Sequence, residues 1–346
     1  MADIILRVDG AAGRITLNRP DKLNALTHAM CLEIERALDD WSRDDGVALV
    51  LIDAEGDKAF SAGGDLRFMH DAARAGDFAA PRNFWRDEYR LNLKIAEYPK
   101  PVVSLMQGFT MGGGVGIGCH ASHRVVCETS RLAMPECSIG LIPDVGGTWL
   151  LSQAPGHLGE FLALAAERMG PGDAVLAGFA DHYLPRERWP DLVKKLSKGT
   201  VSAVADLAEP APQSSLAEDR GWIDSAFALG GTGRILEALD EMEFDAPRKA
   251  AAAIRRNAPL SMAASLAMIR NLRSGGGLAL ALAQEFRFGY RALTLGDLVE
   301  GIRARIIDRD ESPAWRHGAP GEVPPADVAE MLAPLGEEEL KLGRVY

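Results

Sequence analysis

Residues 112–118 read Gly112-Gly113-Gly114-Val115-Gly116-Ile117-Gly118, shortly after an apolar run, Pro101–Met106, that predicts a strand buried on both faces. Glycine tolerates close approach and unusual backbone angles, so this stretch predicts a tight turn from the strand into a short helix. A second glycine turn, Ser61–Gly64, follows the apolar run Val47–Ile52 and leads into a helix that opens at Asp65. The repeated order of strand, turn and helix predicts an α/β fold.

The remaining periodicity predicts further strands and helices around these turns. Strands are expected at Ile4–Val8, Arg14–Leu17, Arg124–Cys127 and Arg131–Met134, and helices from Thr27 and over Phe84–Tyr98. After about Gly147 the candidates are mainly helical: Trp149–Ala166, Pro171–Gly178, Ile223–Phe227, Arg234–Met242 and Met262–Leu272. We therefore divide the chain into an α/β core, residues 1–195, and a helical C-terminal region, residues 196–346, with a linker signal at Glu209–Ser215.

Bulk composition excludes several classes of function. The chain has 346 residues, of which 47% are hydrophobic and 25% charged, as in an ordinary globular protein. Its net charge of -11 argues against nucleic acid or an anionic membrane surface as the main partner. Four cysteines without CxxC spacing favour a reducing compartment. The N-terminus lacks a signal-peptide pattern, so we expect a cytoplasmic protein, or a mitochondrial matrix protein if a transit peptide has been removed.

The glycine cluster does not match the nucleotide-binding motifs well. A P-loop would end in Gly-Lys-Ser or Gly-Lys-Thr, which is missing here. Gly116-x-Gly118-x-x-Ala121 resembles a dinucleotide fingerprint, but Glu128 comes too soon to be its acidic residue. Two readings remain: a purely structural turn, or a helix start that aims an N–H group at an oxyanion. With the turn at Gly63-Gly64, two such donors would converge, although Asp65 alone reads as a helix cap.

Glu136 and Asp144 are candidate catalytic carboxylates. They lie in the stretch Met134–Gly147, among apolar residues and glycines. Burial raises the pKa of a carboxyl group and suits it to act as base, acid or nucleophile near neutral pH. A surface ion pair at Glu136 and a helix cap at Asp144 are the simpler alternatives. Cys137 is a rival nucleophile without a nearby histidine in sequence to activate it.

Three motifs in order resemble the crotonase (enoyl-CoA hydratase/isomerase) superfamily. They are Asn18–Leu26, Phe60–Leu66 and Met111–Gly114. The resemblance implies a crotonase-like spiral of ββα turns and an acyl-CoA thioester as ligand. It also implies that no cofactor is needed, since coenzyme A is part of the substrate, and seven histidines without ligand spacing predict no metal site.

The same resemblance assigns roles to individual residues. Gly64 and Gly113 fall where the family supplies two backbone N–H groups to the thioester oxygen. Lys22, Ala62, Asp65 and Leu66 fall where it contacts coenzyme A, and Glu88 where it contacts the acyl group. Crotonase relatives form trimers and larger assemblies, so a homo-oligomer is compatible with this chain, although its helical C-terminus could cover that surface and the active site.

Departures from the hydratase pattern indicate a branch. Hydratases carry two glutamates; Glu136 matches one, but Gly116 stands in place of the other. Residues 84–92, 134–147 and 300–315 resemble the 3-hydroxyisobutyryl-CoA hydrolases instead. This implies hydrolysis of a short 3-hydroxyacyl-CoA, as in valine catabolism, by Glu136 and Asp144 with the two N–H groups. The alternatives are a hydratase or isomerase with Glu136 as its only base, and a non-catalytic acyl-CoA-binding protein.

Overall fold

The computed structural model describes residues 2–343; Met1 and residues 344–346, the end of the predicted C-terminal region, lie outside it. Its strands are β1 Ile4–Asp9, β2 Ala12–Leu17, β3 Leu49–Ala54, β4 Ala59–Ser61, β5 Val102–Met106, β6 Phe109–Met111, β7 His123–Val126, β8 Arg131–Ala133 and β9 His182–Tyr183. Its α-helices in the first half are α1 His28–Ser42, α2 Leu66–Arg74, α3 Ala79–Ala96, α4 Gly113–Gly118, α5 Gly147–Gln153, α6 Leu158–Ala165 and α7 Pro171–Leu176.

The second half is almost entirely helical. Its helices are α8 Trp189–Leu196, α9 Ala203–Leu207, α10 Ser215–Phe227, α11 Thr232–Asp240, α12 Asp245–Arg256, α13 Pro259–Ser274, α14 Leu278–Ala292, α15 Leu298–Ile302 and α16 Pro325–Leu332. A π-helical turn covers Arg303–Ile307, and 3₁₀ turns cover Pro20–Lys22, Glu136–Ile139, Arg186–Arg188, Pro320–Glu322 and Gly336–Glu338.

The described strands form two sheets that the chain visits alternately. One has the order β1-β2-β3-β5-β7-β9, with β1 antiparallel to β2 and the other neighbours parallel; the second has the parallel order β4-β6-β8. Successive pairs β3–β4, β5–β6 and β7–β8 each give one strand to each sheet before the chain turns into a helix. This is the predicted spiral of ββα turns followed by a helical C-terminal portion.

Apolar residues on both faces explain why the larger sheet is buried. In β3, Val50 and Ile52 belong to the main apolar cluster, whereas Leu49 and Leu51 face a smaller cluster formed with α8 and α9. Alternate residues of a strand point to opposite faces, so a continuous apolar run is what a doubly covered strand requires.

One predicted helix differs from the structure, and one predicted boundary is not tested by it. The helix expected over Trp149–Ala166 is interrupted, because α5 ends at Gln153 and α6 begins at Leu158. Pro155 has no N–H to donate and disfavours helix in the residue before it, and Gly156 adopts a φ of 57°. The domain division at residue 195 stays a prediction; that residue lies inside α8, and the main apolar cluster contains residues from both sides of it.

Candidate active site

A cavity of about 280 Å³ lies between the two glycine turns and the helical C-terminal region. Of the predicted site residues, it is lined by Ala62, Gly64, Leu66, Glu88, Gly113, Glu136 and Asp144. Leu298, Arg305 and Ile306 from the C-terminal region also line it. The fold thus gathers residues as far apart in sequence as Ala62 and Ile306 into one site.

The Gly64 and Gly113 amides approach each other at this cavity. A Cβ placed on Gly113 would lie 3.5 Å from the Gly64 nitrogen, and one on Gly63 would lie 3.6 Å from the Gly113 nitrogen. Leu26 bonds the Gly63 carbonyl and the Asp65 amide, so the Gly64 amide between them points away from Leu26. Gly113 is the first residue of α4, where an N–H group has no partner within its own helix. The two amide nitrogens therefore lie close together at the cavity, as an oxyanion hole would need.

Glu136 is the first residue of the 3₁₀ turn after β8, and it is buried. Its Oε1 would lie 2.9 Å from a Cβ on Gly112, so the carboxylate reaches the backbone of the glycine turn at 112–114. Its Oε2 is buried without a hydrogen-bond partner. Burial raises the pKa of Glu136 well above its usual value, and the Asp144 charge raises it further. A surface ion pair is therefore not the role of this residue.

Asp144 is the second buried carboxylate of the cavity. The Tyr89 hydroxyl, on α3, donates a hydrogen bond to its Oδ2 at 2.8 Å. Burial raises the pKa of Asp144 to about 6, while the Tyr89 hydrogen bond lowers it. The two carboxyl groups titrate as an interacting pair, so one is expected to keep its proton near neutral pH.

Glu88 lies one residue before Tyr89 and lines the same cavity. Burial raises its pKa, and the Asp144 charge acts in the same direction. Its Oε1 has no hydrogen-bond partner and would lie 2.6 Å from a Cβ on Gly113. The carboxyl group is therefore held against the start of α4, where an acyl group bound by the amides would be within its reach.

Gly116 faces a side chain that sequence reasoning did not single out. A Cβ on Gly116 would lie 2.7 Å from Asn92 Nδ2 and 2.8 Å from Val145 Cβ. Asn92 lies one helical turn after Glu88 and is fully buried, and neither polar atom of its side chain has a partner. The space beside α4 is thus filled from α3, and no glutamate fits at position 116 without displacing Asn92.

Two predicted coenzyme A contacts lie outside the cavity lining. Lys22 is exposed at the end of the 3₁₀ turn Pro20–Lys22. Asp65 caps α2, since its Oδ1 accepts from the Phe68 amide, and its Oδ2 lies 3.6 Å from Arg19 Nη2. Ala62 and Leu66 line the cavity itself. The Ala62 amide donates to the Leu23 carbonyl, which places the Lys22 segment beside the cavity rim.

Glu285 and His120 support Asp144 and were not predicted as site residues. Glu285, on α14, accepts hydrogen bonds from the backbone just after Asp144, and His120 bonds the Val145 carbonyl. The helical spacing of α14 could have indicated Glu285. It lies four residues after Ala281 and three after Leu282, so it shares their buried helix face. Among residues 2–343, no group of three or more His, Cys, Asp or Glu is arranged to bind a metal ion.

Comparisons with known proteins agree with this geometry. Residues 12–332 match the family described as enoyl-CoA hydratase/isomerase. The mitochondrial 3-hydroxyisobutyryl-CoA hydrolase of Gallus gallus is 37% identical, over 99% of this chain and 91% of that protein. The corresponding human hydrolase is 36% identical, over 98% of this chain and 90% of that protein.

Two solved structures match nearly the whole chain. The first, from Rhodobacter sphaeroides, is described as an enoyl-CoA hydratase; it is 52% identical with a TM-score of 0.95, over 98% of this chain and 100% of that one. The second, from Mycobacterium thermoresistibile, is described as a carnitinyl-CoA dehydratase; it is 41% identical with a TM-score of 0.95, over 99% and 100% of the two chains.

Proposed function

The chain belongs to the enoyl-CoA hydratase/isomerase family, and from that premise we propose that it is an acyl-CoA thioester hydrolase acting on 3-hydroxyisobutyryl-CoA. The products are 3-hydroxyisobutyrate and CoA. One observation carries the proposal. The cavity combines a buried Glu136–Asp144 pair and two converging glycine amides with a filled space at Gly116, where a hydratase would carry its other glutamate.

The thioester carbonyl binds between the Gly64 and Gly113 amides. As negative charge develops on its oxygen, each amide stabilises the transition state by about 3 kcal/mol. Glu136 then acts by one of two routes. It attacks the carbonyl carbon and expels the CoA sulfur, which takes a proton, to leave a mixed anhydride that water hydrolyses; or it removes a proton from water that attacks directly. Either route consumes one water and releases one thiol and one carboxylate.

Asp144 and Glu88 have separate roles beside that of Glu136. Asp144 exchanges protons with the reacting water or the leaving sulfur, since its pKa of about 6 lets it take and give a proton near neutral pH. Glu88 accepts a hydrogen bond from the 3-hydroxyl of the acyl group. Lys22, Ala62, Asp65 and Leu66 contact coenzyme A at the rim, where the Lys22 ammonium suits a phosphate. Coenzyme A belongs to the substrate, and no other cofactor is expected.

The proposal is tested by free-thiol release from 3-hydroxyisobutyryl-CoA, with the enoyl absorbance of crotonyl-CoA followed in parallel. We expect rapid thiol release from the first and no loss of absorbance from the second. Glu136→Gln should lower kcat by about 10²–10⁴-fold, because it removes the nucleophile or base. Activity of that variant within a few-fold of wild type would disprove the assignment.

Hydrolysis in H₂¹⁸O separates the two routes. In a single turnover with enzyme in excess, attack of water on the Glu136 carbonyl of an anhydride would leave ¹⁸O in Glu136. Direct attack of water on the thioester would put ¹⁸O in the product alone. Mass spectrometry of the peptide that contains Glu136 distinguishes these results. If water attacks the acyl carbonyl of the anhydride instead, Glu136 stays unlabelled, and trapping with hydroxylamine then detects the anhydride.

The second candidate is an enoyl-CoA hydratase, because a structure so described is 52% identical to this chain. It would have to add water with Glu136 as its only base. The packing of Gly116 against Asn92 argues against this, since no second carboxylate occupies that side of α4. Loss of the crotonyl-CoA absorbance without thiol release would establish the hydratase instead.

The proposal extends to the cellular location of the protein and to its oligomeric state. No described helix is long and apolar enough to cross a membrane. The curated relatives from Gallus gallus and human are named as mitochondrial, whereas for this chain we propose the cytoplasm. Fractionation of cells that express the tagged protein tests this. Sedimentation of the purified protein tests for a homo-oligomer.

A further inference from the structure

The turn that follows Asp144 has a backbone that needs outside support. Val145 has a φ of 53° and Gly146 a φ of 80°, and the Gly147 amide closes the turn on the Asp144 carbonyl at 2.6 Å. A β-branched residue in the left-handed region is unfavourable and persists only where its surroundings fix it. The direction of the Asp144 side chain depends on this turn.

Glu285 supports the turn from the C-terminal region. Its Oε2 accepts from the Gly146 amide at 2.7 Å, and its Oε1 accepts from the Thr148 amide at 3.0 Å and from the Thr148 hydroxyl. The Glu285 side chain is fully buried, and all three donors lie more than 130 residues away in sequence. One carboxylate therefore satisfies the backbone at the start of α5.

His120 holds the same turn through the Val145 carbonyl. Its Nε2 lies 2.8 Å from the Val145 carbonyl oxygen, which can only accept, so Nε2 carries the proton. Burial lowers the pKa of His120 to about 4, so the ring is neutral at physiological pH. A Cβ on Gly146 would lie 2.6 Å from this nitrogen and 2.4 Å from a Leu278 methyl group, so a larger residue at position 146 would displace His120 or Leu278.

We propose that Glu285 is a positioning residue for the hydrolysis: it holds the 144–148 turn so that Asp144 faces the cavity. This inference rests on the proposed function. Glu285 itself does not line the cavity. It acts through the turn that carries Asp144.

The buried carboxyl groups of this cluster differ in their hydrogen-bond donors. Burial raises the pKa of Glu285 to about 8, although its three donors lower it. Glu136 Oε2 has no donor, and burial raises the pKa of Glu136 well above its usual value. The other groups facing this cluster are Asp144, Glu88 and Tyr89 from the loop and α3, His120 after α4, and Arg305, whose guanidinium bonds Glu311 and the Ser138 carbonyl.

The test compares Glu285→Gln and Glu285→Asp with Glu160→Gln. Glu160 is a matched control, because it is also a fully buried glutamate but pairs with Arg273 away from the cavity. Glu285→Gln loses the charge and one acceptor, and Glu285→Asp keeps the charge on a shorter side chain. For each protein, kcat and KM for 3-hydroxyisobutyryl-CoA are measured across the pH range, with the thermal midpoint of unfolding.

We expect Glu285→Gln to lower kcat by about 10-fold or more with little change in KM, since misplacing a catalytic group by a fraction of an ångström has such effects. Glu285→Asp, which keeps the carboxyl group on a shorter side chain, should also lower kcat with little change in KM. Glu160→Gln should lower the thermal midpoint and leave both kcat and KM unchanged.

Wild-type kcat in folded Glu285→Gln would overturn the inference. If Glu285→Gln does not fold, Thr148→Val removes one donor to Glu285 while keeping the side-chain shape, and it must lower kcat with KM unchanged for the inference to stand. A wild-type protein that releases no thiol would instead overturn the proposed function, so the two failures are distinguishable.

Discussion

Tyr89 controls the ionisation of Asp144 through a single hydrogen bond. Its hydroxyl lies 2.8 Å from Asp144 Oδ2, and this bond lowers a pKa that burial raises. Tyr89→Phe removes the donor with almost no change in volume. We expect the pKa of Asp144 to rise, so the acidic limb of kcat/KM should move to higher pH. Activity at neutral pH should fall by about 10-fold, as for a hydrogen bond to a charged group.

Tyr98→Phe is the control for Tyr89→Phe. The Tyr98 hydroxyl also donates a partly buried hydrogen bond at 2.8 Å, but to the Leu38 carbonyl. Its loss should affect unfolding and leave the pH profile as in wild type. The role given to Tyr89 would be wrong if both variants had the wild-type profile.

Single residues differ in how far the sequence reveals them. Glu136 and Asp144 were predicted because apolar neighbours in the same short stretch signal burial of a carboxylate. Asn92 and Glu285 were not, because their partners lie on other elements: Asn92 faces α4 and Glu285 binds α5. A local pattern cannot report such contacts, although both residues lie on buried helix faces.

Helices α3 and α4 illustrate how one element sets the chemistry of another. Glu88 and Asn92, four residues apart, face Gly113 and Gly116, three residues apart. Gly116→Glu, the hydratase-like change, would force Asn92 and Val145 aside. We expect this variant to lose hydrolysis, to unfold at a lower temperature and to gain no hydration of crotonyl-CoA.

The control for Gly116→Glu is Gly221→Ala on α10, where nothing lies within 4 Å of an added Cβ. Alanine in an open helical position should raise stability by about 0.5–1 kcal/mol and leave activity unchanged. Hydration of crotonyl-CoA by Gly116→Glu, followed as loss of enoyl absorbance, would show that Asn92 does not block the second glutamate.

Elements were predicted well where both faces of a strand are apolar, as in β3 and β5, and less well where a break depends on one residue. Pro155 separates α5 from α6 within a run whose apolar periodicity continues on both sides. Periodicity reports which face is buried, whereas the end of a helix depends on a single missing N–H group.

At the scale of the molecule, the C-terminal region completes the site rather than merely following it. A Cβ on Gly301 would lie 2.2 Å from the Ile139 carbonyl, and one on Gly140 would lie 2.5 Å from the Asp297 backbone. The segment 297–306 is thus packed against the 3₁₀ turn that begins at Glu136. The sequence indicated a helical C-terminal region, but not this contact, because close backbone approach leaves no periodic signal.

The buried carboxyl groups also make the stability of the whole protein depend on pH. The pKa of Asp144 is about 6 in the folded protein and about 3.9 in an unfolded chain, so the folded state binds more protons between these values. The free energy of unfolding therefore falls as the pH rises through this window, by about 3 kcal/mol for this group. Burial raises the pKa of Glu285 to about 8, and the Asp144 charge raises it further, which adds to the same trend.

Asp144→Asn should remove this dependence. We expect it to match wild type near pH 4 and to exceed it by about 3 kcal/mol above pH 6, while losing hydrolysis. Asp181→Asn should instead be less stable than wild type at all pH values above about 4, because Arg124 lowers the pKa of Asp181, and the difference should disappear only as the pH falls below about 4. Urea denaturation from about pH 3 to about pH 8 measures both differences. An Asp144→Asn curve parallel to wild type would mean that folding leaves the pKa of Asp144 unchanged, so that Asp144 is ionised at neutral pH and holds no proton to give during hydrolysis.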